Sequence, residues 1–243
     1  MKRFIFIALA LALLIAICGC NNAPGRPVAG SEEPRPNEVL SFDTLYQQNC
    51  AGCHGEQGKG GAAIALNNAV YLTIADDPTI RRATAQGVPG TAMPAFAQSS
   101  GGMLTDEQIS AIVGGIRSRW TKPKPDSLDP TPPSYSALAA GDPQHGLNVY
   151  GTYCSSCHGA AGRGGSKAGA IVDESFLSLA SDQYLRTIVI VGRPELGAPD
   201  WRGNVPGQPM SPQDVSDVVA WLSAQRSKPA LSSSTKSPTG GIQ

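Results

Sequence analysis

The sequence predicts an all-α chain built as two helical modules in tandem, and three observations carry that prediction. Apolar residues recur at helical spacing in several segments, each bracketed by capping and breaking residues. The pentapeptide Cys50-Ala51-Gly52-Cys53-His54 returns as Cys154-Ser155-Ser156-Cys157-His158, in similar surroundings. Glycine and proline, 28 and 20 of 243 residues, are abundant between the apolar segments and mark one stretch that divides the chain.

C-x-x-C-H is a c-type haem attachment pattern. Its two thiols form thioether bonds to the porphyrin edge, and the adjacent imidazole is placed to ligate the iron from one face. The sequence therefore predicts two covalently bound haem c groups. One is attached through Cys50 and Cys53 with His54 on the iron, the other through Cys154 and Cys157 with His158. A domain of under about 100 residues is short of core, and a large apolar cofactor fills that deficit. Four of the six cysteines are thus assigned, which argues against a disulfide framework.

Charge excludes one class of partner. With 19 basic and 19 acidic residues the formal net charge is zero, so no long-range field favours nucleic acid.

Taken in order, residues 1–19 form a signal peptide: Lys2 and Arg3, then an apolar run from Phe4 to Ile17 too short to span a bilayer comfortably. Ile17-Cys18-Gly19-Cys20 resembles a bacterial lipobox, in which Cys20 is lipidated and Cys18 leaves with the signal. An ordinary cleaved signal or an uncleaved anchor is the alternative. Several acyl chains on Cys20 would hold the protein to a membrane, where one chain gives only marginal binding. Residues 20–38 are a proline-rich tether.

The first module spans residues 39–120. Leu40, Phe42, Leu45 and Tyr46 predict a helix into Cys50, and Gly55, Gly58, Gly60 and Gly61 a loop able to pass close to a flat ring. A second helix is expected over Asp77–Gln86, with Asp77 as cap and Gly87 as stop. A third is expected from Thr105, with Gln108 completing a capping box and Ile109, Ile112, Val113 and Ile116 as its apolar stripe. Residues 121–137 hold five prolines and read as a stiff linker.

The second module, residues 138–226, repeats this order. Leu147, Tyr150 and Tyr153 lead into Cys154, and Gly159, Gly162, Gly164 and Gly165 form the loop. A helix capped by Ser181 runs to Gly192, and Ser211-Pro212 opens the last one. Tyr46 pairs with Tyr150 and Ile109 with Val215, so the chain is one module duplicated. Residues 227–243 are a Ser/Gly/Pro-rich tail expected to be disordered.

Each module resembles a class I cytochrome c domain: helix, C-x-x-C-H, glycine loop, helix, methionine loop, C-terminal helix. The resemblance covers residues 39–120 and 140–226. It implies one-electron transfer, with histidine and methionine as the two axial iron ligands. In the first module the matching methionine is Met93, in Thr91-Ala92-Met93-Pro94; Met103 is a distant rival. A thioether ligand raises the reduction potential relative to a second histidine. The second module departs from the pattern. Setting Gly192 on Gly87 places Ala198 where Met93 stands. Either Met210, which matches Leu104, swings in as ligand, or the iron is five-coordinate or holds water or an exchangeable ligand.

His145, the one histidine outside the motifs, reads as a surface residue at a helix start. Trp120, Trp201 and Trp221 read as core or haem-edge packing, with core favoured for Trp221. Together these features predict a membrane-tethered dihaem cytochrome c that passes electrons between redox protein partners outside the cytoplasm, in a respiratory chain. An enzyme is the alternative, its second haem taking a peroxide, sulfur or nitrogen compound. A subunit of a larger oxidase or quinol-oxidising complex would use the same chemistry.

Overall fold

The computed structural model describes residues 33–121, 128, 130–203 and 205–226. The signal peptide, Cys20, most of the tether, the middle of the linker and the tail from 227 lie outside the described residues. The chain divides into two compact units, Met1–Val39 and Leu40–Gln243. In the first, the described residues form one 3-10 turn, Pro36–Glu38, closed by an Arg35–Glu38 ion pair.

Among its described residues the second unit holds ten α-helices and no strand beyond two isolated bridges, Ala97–Leu104 and Arg193–Ala198. The first half contributes α1 (Phe42–Asn49), α2 (Ala51–His54), α3 (Ala69–Ile74), α4 (Asp77–Gln86) and α5 (Asp106–Trp120). The second contributes α6 (Pro143–Tyr153), α7 (Ser155–His158), α8 (Glu174–Ser178), α9 (Asp182–Val191) and α10 (Pro212–Ala224). Among the described residues no helix is long and apolar enough to cross a membrane.

Helix ends follow from local chemistry. The Thr105–Gln108 box opens α5 as expected, and Ser211 with Asp214 opens α10. At α4 the cap is Asp76, whose carboxylate accepts from Thr79 N at 2.9 Å; Asp77, expected to be the cap, is the first helical residue. The short helices α3 and α8 were not anticipated. Each is capped by an Asx side chain, Asn68 or Asp173, which accepts from two backbone amides.

In each half the helix entering the haem motif crosses the C-terminal helix. Leu45, Tyr46, Ile109, Ile112 and Ile116 form the first core; Val149, Tyr150, Val215, Val218 and Leu222 form the second. Burying one such aliphatic side chain contributes about 1.5–3 kcal/mol. Of the apolar residues on α6, Leu147 is 49% exposed and Val149 is buried.

The crossings are filled differently. At the first, a Cβ on Gly115 would lie 2.0 Å from the Phe42 ring, so the small residue is on α5 and the large one on α1. At the second, a Cβ on Gly146 would meet Asp217 O at 2.0 Å and Trp221 Cβ at 2.9 Å, so the small residue is on α6 and the large one on α10. Sizes are exchanged across the joint.

The halves touch. Asn68 Nδ2, before α3, donates to Val191 O at the end of α9, 3.3 Å away. The described end of the linker is held against α9 by Arg186, a buried arginine that donates to the carbonyls of Ser134 and Tyr135.

Candidate haem sites

In both halves the first cysteine closes the entering helix, and the C-x-x-C-H residues make one further turn, so both cysteines and the histidine are set by a helical backbone. The next residue, Gly55 or Gly159, has φ near +80°, a conformation that favours glycine. That reversal brings the loop back over the motif. The tyrosine of the entering helix fixes it: Tyr46 OH donates to Gly55 O at 2.8 Å, and Tyr150 OH to Gly159 O at 2.5 Å.

The histidines are oriented the same way. His54 Nδ1 lies 2.8 Å from Ile64 O, and His158 Nδ1 lies 2.8 Å from Gly169 O. A carbonyl only accepts, so Nδ1 carries the proton and Nε2 presents its lone pair. This is the arrangement of a metal-ligating imidazole. Around His54 the fit to a metal is explicit. Its Nε2 is buried and has no hydrogen-bond partner among the described residues. Leaving such an atom unpaired costs about 1–3 kcal/mol, which coordination would offset. Burial pushes the His54 imidazole below its ordinary value, opposed by the bond to Ile64 and aided by the charge of Arg193. The ring is therefore neutral, as a ligand must be. His158 has the same tautomer but is half-buried.

None of the four motif cysteines is paired in a disulfide. Burial pushes Cys50 and Cys154 up to about 11, with the second cysteine of each pair adding to the effect. Thiols so raised stay protonated and exchange slowly with disulfides.

On the distal side the two loops share a backbone and differ in chemistry. Val88 N donates to Met93 O at 3.1 Å, and Arg193 N to Ala198 O at 3.0 Å, so Met93 and Ala198 stand at the same position. The Thr91 hydroxyl donates to Val88 O and accepts from Met93 N, holding Met93 in its turn. Further on, Leu104 N donates to Phe96 O and Met210 N to Trp201 O, both at 2.8 Å. Met210 therefore occupies the register of Leu104, and both side chains are buried, at 6% and 7% exposure. Met103 is 82% exposed, and Trp201 is a core residue at 1%.

His145, at the start of α6, is tied to the fold. Its Nδ1 lies 2.7 Å from Asp217 Oδ2, and the buried Asp217 also accepts from Asp142 N and Gln213 Nε2. Asp214 lies close to the same pair, and the three join the start of α6 to α10.

Two helical halves, each with a C-x-x-C-H turn, a carbonyl-pinned histidine and a C-terminal helix across the entering one, define a tandem cytochrome c: an electron-transfer protein. Residues 37–114 and 141–222 both match the family of cytochrome c oxidase, cbb3-type, subunit III, and the chain belongs to that family. The chain is also 30% identical over 143 residues to the cbb3-type cytochrome c oxidase subunit FixP of Sinorhizobium medicae, strain WSM419. That match spans 54% of this chain and 43% of the relative, less than half its length. Among solved structures, it is similar to a chain of a reducing HAO-like protein complex of Kuenenia stuttgartiensis, with 19% identity and TM-score 0.46, over 80% of this chain and all of that one. It is also similar to the as-isolated thiosulfate dehydrogenase of Marichromatium purpuratum, with 17% identity and TM-score 0.31, over 83% and 50%.

Proposed function

We propose that this chain carries two covalently bound haem c groups and passes electrons, one at a time, between redox partners outside the cytoplasm. Cys50 and Cys53 would hold the first haem, with His54 and Met93 on its iron. Cys154 and Cys157 would hold the second, with His158 on its iron. Bound haem supplies the one-electron couple; the protein fixes the ligands, excludes water and sets the potential. The single observation that carries the reading is the doubled C-x-x-C-H turn in which a backbone carbonyl sets each histidine's tautomer. The proposed domain limits are residues 39–120 and 138–226, joined by the linker 121–137.

For the sixth position of the second haem we favour a site without a methionine from the distal loop. Ala198 stands in the register of Met93, and Met210 in that of a core leucine. This also supports a second reading, in which that haem binds a small peroxide, sulfur or nitrogen compound and the first feeds it electrons. A respiratory terminal oxidase is the favoured partner, since the FixP relative is named as an oxidase subunit. Lipidation of Cys20 would tether the chain to the membrane. The test of the main reading is the haem content of the exported protein by alkaline pyridine spectrum. Two haems per chain, falling to one in Cys154→Ser/Cys157→Ser, is the expected result; one haem in the unmodified protein would overturn it. Cys20→Ser should release the protein from membrane fractions, and unchanged fractionation would count against the tether.

A further inference from the structure

Arg193 follows the glycine that ends α9 and opens the distal loop of the second half. Its main chain is tied at both groups to Ala198: N–H to O and O to N–H, each at 3.0 Å. Its side chain leaves that half altogether. Nη2 donates to Gly61 O at 2.7 Å and Nη1 to Ala62 O at 3.1 Å. Both carbonyls belong to the loop that runs from His54 to Ile64, the residue holding His54 Nδ1. Glu195, from Arg193's own loop, accepts Nε at 2.5 Å, and the two side chains are only 12% and 19% exposed. The guanidinium is thus neutralised from one half and spends its remaining donors on the other. Only a planar fork of donors reaches two successive carbonyls and a carboxylate at once. The corresponding residue of the first half is Val88, which has no donor to offer.

We propose that Arg193 is an interdomain positioning residue: it ties the distal loop of the second haem site to the loop that holds the first site's histidine, and so sets the relative placement across which an electron passes between the two. The electron-transfer consequence rests on the dihaem reading; the clamp itself does not. Asn68, donating to Val191 O, anchors the same contact from the first half.

The experiment compares the exported wild-type protein with R193Q and R193K. Haem content is counted first, then amide hydrogen exchange is followed over residues 55–64. Loss of two charge-assisted bonds in R193Q should raise exchange there about tenfold. R193K, which keeps the charge but reaches one carbonyl, should raise it about threefold. Electron redistribution between the haems after flash reduction should lose its fast phase in R193Q while both reduction potentials keep their order. Unchanged exchange and unchanged redistribution in R193Q, with wild-type helicity, would overturn the proposal. If R193Q fails to fold, R193K decides by the same readouts, and wild-type exchange in it overturns the clamp. A wild-type haem content below two refutes the dihaem reading instead, and the exchange measurement still reports on the clamp.

Discussion

The two halves of this molecule solve the same packing problems with different residues, and pose the same distal loop with different chemistry. At the end of α5, Arg117 donates to Leu72 O and Ala75 O and pairs with Asp77, closing α3 onto α4. In the second half the matching acceptors are Leu177 O, Ala180 O and Asp182, and the donor is Arg226, a turn beyond the matching position. The tryptophans move the opposite way. Trp120, last residue of α5, meets the Tyr46 ring edge-on at 5.1 Å; Trp221, well inside α10, lies 4.3 Å from the Tyr150 ring. Both sit beneath the same glycine of the haem loop, Gly58 or Gly162. A helix presents residues three or four apart on one face, so a guanidinium reaches the same place from the next turn. The distal loop shows the converse. Its register is kept, with Val88 N to Met93 O matching Arg193 N to Ala198 O, while Met93 gives way to Ala198. Packing tolerates displaced residues because it needs volume near a point; ligation needs one atom at one position.

The largest effect should come from removing an attachment site. Cys50→Ser/Cys53→Ser should lose one haem of two and unfold the first half, seen as halved haem absorbance and a loss of helical circular dichroism. The second-half equivalent, used above to count haems, should leave the first haem's spectrum intact.

Next comes the distal asymmetry. In the reduced wild-type protein, carbon monoxide should bind about half of the haem, and Met93→Ala should raise that to nearly all. Met210→Ala should leave the fraction at half while lowering stability by about 2–5 kcal/mol, the cost of a truncated core residue. A rise in carbon monoxide binding on that substitution would instead make Met210 the ligand.

The exchanged crossing offers a stability test. Gly115→Trp should clash with Phe42, and Phe42→Gly should leave a hole; each should cost about 3 kcal/mol in denaturant unfolding. The double variant rebuilds the second half's arrangement in the first and should recover about 1 kcal/mol or more of the summed loss. Strict additivity would show that the two crossings are not interchangeable.

The smallest effect is a pH slope confined to the second half. The bond to Asp217 lifts His145 above its ordinary value, opposed by desolvation and aided by the nearby charges of Asp217, Asp214 and Asp142. Burial pushes Asp217 up, but its bonds to Asp142 N, His145 and Gln213 hold it below the usual carboxylate range. A raised histidine contributes fully below about pH 6.5, its unfolded value, and that contribution is lost as pH rises through the folded one. The Asp217 contribution is present at neutral pH and is lost only in acid. The second half's melting temperature should therefore fall modestly from pH 6 to about pH 9, and His145→Gln should flatten the slope. Ser41 stands at the matching position of the first half, whose melting should show no such slope.

Much of this was legible before any coordinates. The repeat, the haem motifs, the boundaries of α4, α5, α9 and α10 and the mismatch at Ala198 follow from spacing and capping, which act over a few residues. The short helices α3 and α8 were missed because each is too brief to show a period; their signal was an Asx cap before a short apolar run. Leu147 faces solvent because a helix's buried face is chosen by its partner, and Gly146 turns α6 toward α10.

The sequence by itself determined two C-x-x-C-H turns, their order and the inequality of the loops that follow them, because such a turn and a missing thioether are local facts. Tertiary structure alone decided that His54 is buried with Nε2 unpartnered, that Met210 sits where Leu104 does, and that Arg193 grips the first half's haem loop. Gly61 and Arg193 lie far apart in the chain, and only a folded backbone brings a carbonyl within 2.7 Å of a guanidinium.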